Sequence, residues 1–111
     1  MKNILTLLLL LLLAACHQEE PQPSLEGSRW AAFDYSSSLD GSQVYQILTF
    51  TSETEVQRYA AREKTDILNT PVSLPYAYDH PHLSITLAGA VYTGTVGEGF
   101  IRILDKDYER L

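Results

Sequence analysis

The chain has 111 residues, enough for one domain, with 14 Asp and Glu against eight Lys and Arg and a net charge of −6. That balance argues against nucleic acid, whose phosphates require a basic face, and against an electrostatic grip on anionic lipid. The single cysteine leaves no partner for an internal disulfide and no cysteine cluster for a metal.

In chain order, Lys2 precedes an apolar run from Ile4 to Leu13 that only Thr6 interrupts. The run is about half of the roughly 20 residues a membrane-spanning helix needs, which suits the core of a signal peptide. Leu13-Ala14-Ala15-Cys16 then resembles the lipobox of bacterial lipoproteins: branched apolar, small, small, cysteine. The resemblance implies cleavage between Ala15 and Cys16, a diacylglycerol on the thiol, and acylation of the freed amine. One acyl chain holds a protein weakly, at about 0.8 kcal/mol per buried methylene, whereas two or three hold it almost permanently. The expected membrane partner is therefore reached through lipid on Cys16, which also removes the only thiol from chemistry.

Residues 1–15 thus read as a signal peptide, 16–24 as lipidated cysteine and tether, and 25–111 as the folded domain. The tether, "HQEEPQPS", is polar, carries two prolines, and spans at most about 28 Å when stretched. Its Glu19-Glu20 pair resembles the acidic signal by which some Bacteroidetes lipoproteins reach the outer face of the outer membrane. The expected location is the outer membrane, with outward or periplasmic display left open.

From Leu25 onward the pattern is one of short strands. Trp30–Tyr35 precedes a "LDGS" turn and Val44–Thr51. Val72–Tyr78 leads to a "DHPH" corner, and Leu83, Ile85 and Leu87 alternate with Ser84 and Thr86. Gly89, free to take positive φ, links that run to Val91–Val96, and "VGEG" links the latter to Phe100–Leu104. Pro75, which cannot donate to a ladder, belongs at an edge or bulge.

Residues 52–68 are contested. Ser52 and Glu55 spell a capping box, with Val56, Tyr59, Ala60 and Ile67 on one helical face. As a strand, Tyr59 and Ala61 oppose Arg58 and Ala60, a poor alternation.

Four pieces taken in order resolve the choice: "LEGSRW" at 25–30, "ILTFTSETEV" at 47–56, "YAYDHPHLSIT" at 76–86 and "YTGTVGEGFIRI" at 92–103. Together they resemble the small lipocalin-like domains of Bacteroidetes lipoproteins. In such domains the segment after the Thr-Phe-Thr strand continues as β. The resemblance therefore implies a strand over 54–62 and an all-β fold. The expected architecture is a small antiparallel up-and-down meander, a lipocalin-like barrel or strongly curved sheet of seven or eight short strands. Trp30 would anchor its core. Full-length lipocalins are nearly twice as long, so a roomy cavity is not implied.

Catalytic signatures are scarce. The serines of "YSSSLDGS" lack a nucleophile elbow, the glycines do not precede a helix, and no carboxylates pair by spacing. His80-Pro81-His82 beside Asp79 suggests a metal, but a turn there would point His80 outward, so no metal and no cofactor is expected. The seven tyrosines suit strands by shape and binding surfaces by their rigid amphipathic rings. Candidate binding residues are Tyr35, Tyr76, Tyr78, His80 and His82. The expected activity is that of a non-catalytic binding or interaction module for an undetermined protein or small molecule. A carrier of a small apolar ligand and an enzyme inhibitor are the alternatives.

Overall fold

The structure, a computed structural model, describes residues 23–111, so Ala15, Cys16, the signal peptide and most of the tether lie outside it. The described residues form β-strands joined by tight turns. The strands are β1 (Arg29–Ser36), β2 (Gln43–Phe50), β3 (Glu55–Arg62), β4 (Asp66–Ile67), β5 (Val72–Asp79), β6 (His82–Leu87), β7 (Ala90–Gly97), β8 (Phe100–Ile103) and β9 (Lys106–Arg110).

Every pairing is antiparallel, and the sheet closes on itself when β9 meets β1 and β2 meets β3. Eight strands make an up-and-down barrel of the expected kind, and the two-residue β4 is an addition. Closure leaves no long free edge of the sort that templates aggregation. β4 and β5 lie end to end along one edge of β3. Ile67 faces Ala61 and Val72 faces Arg58, so the six residues 67–72 on that edge oppose the four residues 58–61 on β3.

The contested segment is strand, as expected, and the capping-box serine is still used. Ser52 Oγ accepts the backbone N–H of Glu55 at 3.0 Å, closing the β2–β3 hairpin and not a helix. The poor alternation is also real, because β3 is covered on both faces. Tyr59 and Ala61 face outward and are buried with Ala31 and Ile47 in a second cluster. The Tyr59 hydroxyl is held there by Arg29 Nη2 at 3.2 Å and Thr49 Oγ1 at 3.1 Å.

In a closed sheet, directly opposed residues share a face, so the register identifies the interior. Trp30, Leu48, Phe50, Val56, Leu74, Tyr76, Leu83, Ile85, Val96, Ile101 and Tyr108 all point inward and are buried. They fill the lower barrel, the end where Leu25 enters. Phe50 and Tyr76 meet edge to face, their centroids 4.8 Å apart, and the Tyr76 hydroxyl donates to the Ser52 carbonyl at 2.6 Å.

The "LEGSRW" stretch forms the plug of that end. Gly27 takes φ +83°, which lets its N–H reach the Phe50 carbonyl at 2.8 Å and turns Leu25 into the core. Ser28 is buried, donates its hydroxyl to the Leu25 carbonyl, and accepts Trp30 Nε1–H at 2.8 Å. The indole nitrogen is thus satisfied inside the core, where an orphan donor costs about 1–3 kcal/mol.

The Gly89 turn forms as expected. Ala88 and Gly89 take φ +52° and +80°, the signature of a type I′ hairpin. Gly94 serves closeness, not turning: a Cβ there would stand 2.2 Å from the Arg102 carbonyl oxygen and 2.7 Å from Ile103 Cβ.

Candidate binding site

The upper interior differs from the lower one. Its inward register positions are Gln46 on β2, Arg58, Ala60 and Arg62 on β3, and Lys106 on β9. A bulge in β1, where Phe33 faces Tyr45 and Tyr35 faces Val44, adds Asp34 to this set. Asp34 Oδ2 accepts Gln46 Nε2–H at 2.9 Å, and its Oδ1 receives Lys106 Nζ at 3.1 Å. Those hydrogen bonds, the Gln46 one first, hold the Asp34 carboxyl below the usual carboxylate range against the opposing effect of burial.

Arg58 reaches across from β3 toward Tyr108 on β9. Burial raises the Tyr108 pKa, and the neighbouring guanidinium works in the opposite direction. The Tyr108 hydroxyl and Arg58 Nε are nonetheless both buried and lack a well-formed hydrogen bond, as is Arg62 Nε. The ion pairs among the described residues join Arg62 to Asp66, Arg102 to Asp107 and Lys106 to Asp34. Arg58 has no carboxylate partner among them. Of the three inward cations, Arg62 pairs with Asp66 and Lys106 with Asp34, while Arg58 acts on Asp34 without an ion pair, which leaves local positive charge inside an acidic protein.

Access follows from where the ladders stop. β5 pairs with β6 only from Tyr76 onward, because Pro75 has no N–H to give; it sits where that ladder ends, as expected of it. β8 pairs with β7 only at Thr95–Gly97. The β6–β7 hairpin above Ile85 and Gly94 consequently stands as an arm with no ladder partner on either side. A cleft of about 640 Å³ opens on its β8 side, lined by Arg58, Leu87, Tyr92, Ile103, Leu104 and Lys106 among others. A smaller one of about 110 Å³ opens on its β5 side, lined in part by Gln46, Arg58, Val72 and Leu87. Both reach Arg58 and Leu87. The larger lies within the ~300–1,000 Å³ typical of small-molecule sites.

No family model, curated protein or solved structure matches the chain. The candidate site therefore rests on geometry.

The sequence-based candidates fall at opposite ends of the barrel. Tyr35 is on the upper rim, about half exposed, its inner-face register shared with Val44. Tyr76 is in the lower core. Tyr78 and His80 meet at the lower corner, hydroxyl to Nδ1, with rings edge to face at 5.8 Å, and His82 is exposed beside them. That corner lies at the same end as Leu25. Its tyrosines share a pocket of about 250 Å³ with Pro23, Ser24, Leu25 and Glu53. Among the described residues, no group of three His, Cys, Asp or Glu is placed to hold a metal.

Sequence reasoning passed over Asp34, Gln46, Arg58, Lys106 and Tyr108. One signal was present: Arg58 and Arg62 occupy inward positions of a strand whose other end carries Val56. A polar stretch on the core side of a strand marks the place where the core stops.

Proposed function

We propose that this chain is a lipid-anchored envelope protein, held at the bacterial outer membrane through Cys16, whose barrel is a non-catalytic binding module for a small molecule. The resemblance to lipocalin-like lipoprotein domains supports the same reading. The observation that carries it is the pair of clefts beside the β6–β7 arm, both of which reach Arg58, an inward arginine with no ion pair among the described residues. The filled lower barrel favours this form of binding over a carrier of a wholly apolar ligand.

The test is a ligand-observed NMR screen of small acids, alcohols, amines and sugars. It uses the full chain in nanodiscs, with empty nanodiscs as the blank. Hits are expected that Leu87→Trp, which fills both clefts, weakens at least tenfold. A protein that binds nothing in the screen, or whose hits ignore Leu87→Trp, overturns the reading.

A further inference from the structure

The outer face of the barrel carries a second apolar surface, away from the clefts. In one register row Phe33, Tyr45, Ala61 and Ile67 follow each other across β1, β2, β3 and β4, and Ala31, Ile47 and Tyr59 fill the row below. Phe33 and Ile67 are 53% and 54% exposed. The Phe33 and Tyr45 rings meet edge to face at 5.9 Å. Apolar side chains exposed singly need no explanation, whereas a contiguous patch marks an interaction site.

The charges at the margins of this patch are sorted by sign. On the β3 side Lys64, in a turn at φ +69°, holds its ammonium 5.0 Å from the Tyr45 ring centroid. On the β9 side stand Asp107 and Glu109, which share with Lys64, Phe33 and Tyr45 the walls of a hollow of about 210 Å³. Asp107 is bound to Arg102, whereas Glu109 takes part in none of the ion pairs among the described residues.

A surface that is apolar at its centre, basic on one side and acidic on the other is complementary to itself. Docking two copies face to face about a two-fold axis makes every contact twice. With the axis running from the lower to the upper end, Lys64 of each copy meets the acidic margin of the other, and each Phe33 ring reaches the other's hollow. With the axis running across the strands, each acidic margin would meet its like and repel it. The first arrangement also points both lower ends the same way, as two chains anchored at Cys16 in one bilayer require. That agreement rests on the anchoring reading above; the complementarity does not.

We propose that this face pairs two copies of the chain side by side, Phe33 against Phe33 at the centre and Lys64 of each against Asp107 and Glu109 of the other.

The test follows the full chain in detergent micelles by sedimentation equilibrium up to about 100 μM, a range that reaches weak interfaces. A monomer–dimer equilibrium is expected, weakened about tenfold or more by Phe33→Ser, Lys64→Glu or Glu109→Lys. All three side chains are exposed, so the melting temperature should stay level. Combining Lys64→Glu with Glu109→Lys exchanges the two margins and should restore the dimer. In a mixture of light and isotopically heavy copies, carbodiimide should join Lys64 of one label to Asp107 or Glu109 of the other. A monomer across the whole range would overturn the proposal and leave this face to a different protein. A dimer indifferent to Phe33→Ser would overturn it too, since that dimer uses another face. If Phe33→Ser breaks the dimer but the exchange fails to restore it and no mixed-label cross-link forms, the charge pairing is wrong and the arrangement falls. The small-molecule reading is decided separately, by the ligand screen.

Discussion

Tyr108 and Asp34 sit within one interior cluster, yet their titrations oppose each other. Burial raises the Tyr108 pKa, so its contribution to stability is complete below the free-tyrosine value of about 10 and is lost as pH rises through the folded value. Asp34 is lowered, so its contribution is present above about 3.9 and is lost as pH falls through its folded value. Urea unfolding across pH should therefore show a plateau that falls at both ends. Tyr108→Phe should flatten part of the alkaline limb, with Tyr76 and Tyr78, also raised by burial, supplying the rest. At neutral pH the same change removes a buried hydroxyl whose contact with Arg58 is not a well-formed hydrogen bond, so stability should change by no more than about 1 kcal/mol. Asp34→Asn should flatten the acid limb and cost about 1 kcal/mol at neutral pH, since Lys106 loses its charged partner. An acid limb unchanged in Asp34→Asn would show that the carboxylate is not coupled to folding.

Turns and close approaches decide the elements. Gly94 admits no Cβ because backbone and side chain of β8 press on it, so Gly94→Ala should cost more than about 2 kcal/mol in chemical denaturation. Ala88 holds a left-handed conformation at an exposed turn, where Asn is the better residue, so Ala88→Asn should add about 0.5–1 kcal/mol. A neutral outcome at Gly94 would mean that β8 can shift away without loss. These hairpins were readable because alternation and turn residues are local properties. β9 was not: in "KDYER" only Tyr108 is apolar, and the strand exists because β8 and β1 each offer it an edge. The cluster was hidden for a related reason. Asp34, Arg58 and Lys106 come from three distant strands and meet only after closure, and Asp34 turns inward only through a bulge. The tyrosines drew attention by composition, yet Tyr76 is spent on packing and a backbone hydrogen bond.

For the whole molecule, the polarity of the barrel bears on how it sits at a membrane. The chain enters the barrel at the lower end through Leu25, and the clefts open toward the other. With the proposed lipid on Cys16, the clefts would face away from the bilayer. Cys16→Ser should abolish fatty-acid labelling and move the protein from the membrane to the soluble fraction; retention in the membrane would sink the anchor. Protease added to intact cells then separates the two displays. Loss of a tag placed after Leu111 means outward display, and protection until lysis means a periplasmic domain. The seam of the barrel carries its own consequence. Trp30 pairs with Arg110, at opposite ends of the domain, so the cylinder cannot shut until residue 110 has left the ribosome. Until then the nascent chain is an open ribbon, and contacts this distant in sequence form slowly. With the proposed signal peptide, late closure would keep the polypeptide threadable for export, and it makes a chain ending before Lys106 a pair of bare edges seeking a neighbour.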